Sequence, residues 1–196
     1  MSSPLPPSRQ PWLDRLGLVG FAPIEPVLLA ALVTGSPLLL IGAHGTAKTL
    51  LLTRVAQALG LAFRHYNASL LNFDDLVGFP VPGKDGCLQY MQTPASIWGA
   101  GAVIFDEVSR CRPDIQNKLF PIIHERRVQG ILLEGLRYRW AAMNPPSTDE
   151  DENGYAGSEP LDAALADRFA FVVEMPLWSG FSAEEQLAVI QAQDQP

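Results

Sequence analysis

The feature that most constrains this chain lies between Pro37 and Gly60. Pro37-Leu38-Leu39-Leu40-Ile41 is an apolar run short enough for a buried strand. Leu52, Val55, Ala56 and Leu59 then recur at helical spacing, and Gly60 supplies a C-cap. Between strand and helix stands Gly42-Ala43-His44-Gly45-Thr46-Ala47-Lys48-Thr49, the pattern G-x-x-x-x-G-K-[ST] with Ala47 in place of the second glycine. Small residues in such a loop let backbone N–H groups curl around a phosphate, and the helix N-terminus adds partial positive charge. Lys48 is placed to reach the β and γ phosphates of a nucleotide, and Thr49 to ligate Mg²⁺. Ala47 is expected to open the helix, where alanine is the most favourable residue. The candidate nucleotide-binding residues are Gly42, Ala43, His44, Gly45, Thr46, Ala47, Lys48 and Thr49, with Leu50 next in the helix.

A second stretch completes the chemistry. Ala102-Val103-Ile104-Phe105 reads as a buried strand with Asp106 and Glu107 at its C-terminal end, where open α/β sheets bind ligands. Asp106 is the candidate for holding Mg²⁺ through water, and Glu107 for polarising an attacking water. A strand through Ala141-Ala142-Met143 ends at Asn144, whose amide is placed to orient that water. Asn117-Lys118 lacks the aspartate that a guanine-reading loop needs, because Phe120 stands there. His124-Glu125 lacks a second histidine at helical spacing, so no zinc motif is present there.

The remaining chain sets the surroundings. Ile24 to Val33 reads as a helix apolar on every side, suited to lie under a sheet or at a subunit contact. Ala62 to Asn67 is a second strand. The stretch 70–101 is punctuated by glycine and proline, with Asp85-Gly86 turning a small hairpin between Val81 and Tyr90. Asp74-Asp75 reads as the cap of a short helix. A helix opens at Arg112-Pro113-Asp114, and Pro121, lacking an N–H for Asn117, predicts a kink in it. The stretch 128–138 reads as a hairpin turning at Glu134-Gly135, with Arg137 and Arg139 sharing one solvated strand face. Leu161 to Asp167 is a short helix, Phe171 to Pro176 the last strand, and Ser182-Ala183-Glu184-Glu185 a capping box. The Pro/Ser-rich stretch 1–11 reads as disordered, 148–159 as an acidic surface loop, 12–180 as the core and 181–196 as the start of a further helix.

Length and composition narrow the class. A chain of 196 residues makes one large domain or one and a half small ones, and its formal charge of −7 disfavours general nucleic-acid binding. Cys87 and Cys111 have no metal-type spacing and suit reduced thiols in a cytoplasmic protein. The apolar stretch 26–43 is broken by Gly35-Ser36-Pro37, so no membrane span is expected.

Taken together, these motifs resemble the AAA+ ATPases, and among them the MoxR type, over about Ile24 to Ile190. Gly42 to Thr49 is similar to the Ala-Lys form of the Walker A motif in that group. Phe105-Asp106-Glu107-Val108-Ser109-Arg110 resembles its Walker B box, Ala142-Met143-Asn144-Pro145 its sensor 1, and Leu165-Ala166-Asp167-Arg168-Phe169 the helix end bearing an arginine finger. The resemblance implies an α/β core with a parallel five-stranded sheet in the order 5-1-4-3-2, flanked by helices. It also implies an insertion at 70–101 and a β-hairpin at 128–138. It implies ATP and Mg²⁺ as cofactors, with Lys48, Glu107, Asn144 and Arg168 as the catalytic set and Thr49 and Asp106 at the metal. A homo-oligomeric, hexameric ring is implied, with Arg168 reaching the neighbour's γ-phosphate. So is a protein client, with a von Willebrand factor A domain partner in many members. About twenty residues follow the last strand, fewer than the helical lid of the family needs. The expected function is ATP-driven remodelling of a partner protein. The alternatives are a non-hydrolysing scaffold assembled by ATP, and a nucleic-acid motor using the six arginines from Arg110 to Arg139.

Overall fold

The structure, a computed structural model, describes residues 11–146 and 161–193. The expectations for the acidic loop at 148–159 and, Pro11 apart, for the Pro/Ser-rich start fall outside the described residues.

Along the chain the elements are α1 (Glu25–Thr34), β1 (Leu38–Ile41), α2 (Lys48–Ala58), β2 (Phe63–Asn67), α3 (Phe73–Val77), β3 (Phe79–Pro82) and β4 (Leu88–Met91). They continue with β5 (Ala102–Asp106), α4 (Pro113–Glu125), β6 (Arg127–Val128), β7 (Ile131–Leu132), β8 (Tyr138–Met143), α5 (Ala163–Ala166), β9 (Phe171–Glu174) and α6 (Ala183–Gln193). Five strands form one parallel sheet in the order β2-β5-β8-β1-β9. Numbered by chain order within the sheet, this is the order 5-1-4-3-2 expected above.

Side-chain alternation explains the layering. Leu38, Leu40, Ala102, Ile104, Trp140 and Ala142 face one way and pack with Leu51, Leu52, Val55 and Ala56 of α2 and with α1. Leu39, Val103, Phe105, Ala141 and Met143 face the other way and pack with Ile115, Leu119, Ile122 and Ile123 of α4. Strands buried on both faces read as continuous apolar runs, which is how β1 and β5 read in the sequence. Each fully buried Leu or Ile contributes about 1.5–3 kcal/mol relative to exposure.

Helix α1 covers the sheet with one apolar face and leaves another open. Leu28 and Ala31 are buried against the sheet, while Val27, Leu29 and Val33 face outward and are exposed. Helix α4 runs unbroken through Pro121. The segment between α3 and β5 is better ordered than its glycines and prolines suggest. The Tyr66 hydroxyl donates to the Ala95 carbonyl at 2.6 Å, the Trp98 indole to Val77 at 2.6 Å, and the Ile97 N–H to Leu76 at 2.8 Å. Asn72, with Asp75 accepting its N–H at 3.1 Å, caps α3 as a capping box, and β3–β4 form the small hairpin expected around Asp85-Gly86. The Ser182–Glu185 capping box at α6 is present as well.

Two expectations fail in and just before β8. The hairpin is β6–β7, and it turns at Gln129-Gly130, not at Glu134-Gly135. Both turn residues have positive φ, +48° and +80°, the conformation of a two-residue turn that follows strand twist. Leu136 donates to the Leu133 carbonyl at 3.0 Å, so Glu134-Gly135 make a separate tight turn leading into β8. Arg139 is also not on a solvated face. It is 7% exposed, with its Nε donating to the Ile123 carbonyl at 3.0 Å and its Nη1 to Gly35 at 2.7 Å. Arg137 stays exposed, its guanidinium 5.2 Å above the Tyr138 ring.

Candidate functional site

The parallel sheet gathers the motif residues at the C-terminal ends of its central strands. β1 delivers the loop 42–47, β5 delivers Asp106 and Glu107, and β8 delivers Asn144. They line a cleft of about 210 Å³ together with His44 to Leu50 and Met143. Asp106, Glu107, Lys48, Thr49 and Asn144 are thus brought together, as the sequence predicts.

Lys48 is 8% exposed, and its ammonium donates to the carbonyls of Gly42 at 2.7 Å and Ala43 at 2.9 Å and to Asn144 Oδ1 at 3.1 Å. Burial lowers its pKa, and the charges of Asp106 and Glu107 oppose that shift. The Thr49 hydroxyl donates to Asp106 Oδ2, and His65 Nε2 lies 3.5 Å from the same oxygen. Burial alone would raise the Asp106 carboxyl. Hydrogen bonds from His65, Thr49 and the Glu107 N–H outweigh it and hold the pKa below the usual carboxylate value.

The loop geometry is suited to an anion. A Cβ on Gly42 would stand 2.7 Å from both Met175 Cβ and Thr46 Oγ1, so this position needs glycine. Gly45 adopts φ +81°, and no described residue accepts from the N–H groups of Gly45 or Ala47. The first N–H groups of α2 have no intrahelical acceptor either. Ala47 corrects an expectation: it is the residue before α2, at φ +59°, and not the first helical residue. A left-handed backbone there explains why the motif favours glycine, and alanine holds it at a cost of about 1 kcal/mol.

Three features were missed in the sequence. The Ser69 hydroxyl lies 3.2 Å from Glu107 Oε2 and 2.7 Å from Asn67 Oδ1, so its single hydrogen is shared between two acceptors. His65 meets Asp106 from the neighbouring strand. β2 pairs with β5 so that Asn67 stands opposite Asp106, and alternation puts His65 and Asn67 on one face. That alternation was the available signal. The third feature is an apolar pocket of about 290 Å³ beside the loop, lined by Leu18, Phe21, Leu50, Leu177, Trp178, Phe181 and Val189 among others. No local motif marks it, because three remote segments build it.

Arg168 does not line the cleft. Its guanidinium stacks 4.6 Å from the Phe120 ring and donates to the Ala164 carbonyl, and it pairs with neither Asp167 nor Glu174.

Strand, glycine-bearing loop, helix and a second strand of the same sheet tipped by two acids, one strand removed from the first, define a P-loop nucleotide-binding domain of the α/β class. The chain belongs to the AAA_5 family, the AAA domain of the dynein-related subfamily, which matches residues 37–169. It is 26% identical over 185 residues to the uncharacterized protein YeaC of Bacillus subtilis (strain 168), covering 91% of this chain and 54% of that one. A candidate ATPase from Cytophaga hutchinsonii ATCC 33406, known from a crystal structure, superposes with a TM-score of 0.68 at 25% identity. That match covers 93% of this chain and 54% of the other. The chain therefore spans about half the length of both relatives. No helix among the described residues is long and apolar enough to cross a membrane.

Proposed function

We propose that the protein is a Mg²⁺-dependent ATPase acting as the nucleotide-binding core of a MoxR-type remodelling machine. The observation that carries the reading is the convergence of Lys48, Thr49, Asp106, Glu107 and Asn144 on one cleft beneath unpartnered loop N–H groups. The residues present fit the nucleotide and its metal: the loop has orphaned donors for phosphate oxygens, and Thr49 and Asp106 already touch. Bound Mg²⁺ would neutralise charge developing on the β and γ phosphates.

Each residue has a distinct task. Lys48 holds the phosphate chain by charge and by hydrogen bonding. Thr49 and Asp106 hold the metal. Glu107 accepts a proton from the attacking water, which a positioned base accelerates by about 10²–10⁴-fold. Ser69 keeps that carboxylate in place, and Asn144 orients the water. The apolar pocket beside the loop suits a purine base, with Trp178 and Phe181 at its wall. Arg168, off the cleft of its own chain, serves the neighbouring subunit of a ring as an arginine finger, a role worth about 10³–10⁵ in rate in related enzymes.

A non-hydrolysing scaffold is the weaker reading, because Glu107 stands in the cleft with a hydroxyl partner. A nucleic-acid motor is weaker still, since the chain carries a net charge of −7 where a nucleic-acid binder would be basic. ATP turnover measured over a range of protein concentrations tests the shared site. The proposal expects specific activity to rise with concentration and Arg168→Ala to abolish turnover while ATP still binds. Activity independent of concentration and of Arg168 would overturn the shared site.

A further inference from the structure

At the opposite end of the sheet from the nucleotide cleft, where β1 and β8 begin, lies a pocket of about 620 Å³. Ser36, His124, Arg126, Glu134, Arg137 and Arg139 are among its lining residues. In a chain of net charge −7, three arginines line this pocket with a single acidic residue, Glu134. Among the described residues, no carboxylate stands within 4.0 Å of any of the three.

Arg139 has a structural task as well. Its Nε and Nη1 donate to the carbonyls of Ile123, Gly35 and Arg137, closing the C-terminal ends of α4 and α1. No described residue accepts from its Nη2. That task does not account for the other two arginines. Arg126, in left-handed backbone at φ +57°, makes no side-chain hydrogen bond among the described residues, and Arg137, over the Tyr138 ring, donates only to the Val33 carbonyl, at 3.5 Å. Burial lowers the Arg139 pKa to about 10, and repulsion from Arg126 adds to that shift. Arg139 is buried while Arg126 and Arg137 are exposed, so two solvent-facing cations stand beside a buried one, and an anion joining them would relieve their repulsion.

The geometry points to this pocket as a binding site for the phosphoryl group of a small phosphorylated molecule, separate from the nucleotide cleft. A phosphate carries more than one charge and several acceptor oxygens, which matches guanidinium forks from two elements and the Ser36 hydroxyl. The volume exceeds that of a lone phosphate and leaves room for the body of a phosphomonoester.

The test uses the full chain carrying Lys48→Ala, so that the P-loop no longer competes for phosphate. Inorganic phosphate and glycerol 1-phosphate are titrated while the amide NMR shifts of Gly35, Ser36 and Gly135 are followed. Saturable shifts are expected, displaced by sulfate and not by equal chloride. Adding Arg126→Ala and Arg137→Ala should weaken the binding about tenfold or more, because each removes a charge-assisted contact. Both side chains avoid the core, and the melting temperature of the variant verifies that it folds. Shifts that do not saturate, or that the added substitutions leave unchanged, would overturn the site.

Discussion

Lys48 Nζ and Asn144 Oδ1 stand 3.1 Å apart, although 96 residues separate them in the chain. The contact exists because β1 and β8 are neighbours in register, with Ile41 opposite Met143, so the residues following each strand share one space. The ammonium is thereby held at the floor of the cleft, directed by two loop carbonyls and an amide.

Removing that ammonium should abolish nucleotide capture. Lys48→Ala is expected to weaken ATP binding at least about 100-fold, since charge-assisted hydrogen bonds contribute roughly 1.5–3 kcal/mol each. Fluorescent-nucleotide titration checks this. Affinity within a few-fold of the parent would contradict the assignment.

Ala47 sits in left-handed backbone at φ +59°, so Ala47→Gly removes strain. A glycine in an ordinary helix costs about 1 kcal/mol relative to alanine. Here the urea midpoint is expected to stay level or rise, because relief of about 1 kcal/mol offsets the greater freedom of the unfolded chain. A clear fall in the midpoint would show that the loop is unstrained.

Gly20 combines φ +86° with a Cβ position only 2.4 Å from Phe181 Cε2. Phe181 stacks edge-on against Phe21 at 5.8 Å and walls the apolar pocket. Gly20→Ala is expected to cost about 1–3 kcal/mol in stability and to weaken ATP binding by displacing that ring. Thermal melts with and without nucleotide separate the two effects.

The two thiols should differ in reactivity. Cys87 is exposed, whereas Cys111 is buried and burial pushes its thiol from 9.0 up to about 11. Alkylation near neutral pH is expected to modify Cys87 first and Cys111 only on unfolding. The folded pKa is raised, so the stability that Cys111 contributes is fully present below pH 9.0 and lost as pH rises toward about 11. Urea midpoints across that window should fall more for the parent than for Cys111→Ala.

The sequence made the centre of the site legible and left its supports obscure, for physical reasons. The P-loop, Asp106-Glu107 and Asn144 each end an apolar strand, so a local pattern places them and parallel pairing brings them together. The sheet order came with the family resemblance and holds in the structure. The hairpin turn was misplaced because glutamine at φ +48° gives no composition signal, whereas Glu134-Gly135 offered a more familiar one. Arg139 looked solvated by charge, yet its partners are carbonyls at the ends of two helices. His65 and Ser69 reach the acids only through the pairing of β2 with β5.

The central claim is that Glu107 activates water at a Mg²⁺–ATP site held by Lys48, Thr49 and Asp106. Its most direct test is phosphate release from ATP by the parent and by Glu107→Gln, with ATP binding measured on the same samples. The account predicts Mg²⁺-dependent release by the parent, and undiminished ATP binding with release reduced about 10²-fold or more in the variant. Equal release by both proteins, or binding without release by the parent, would contradict it.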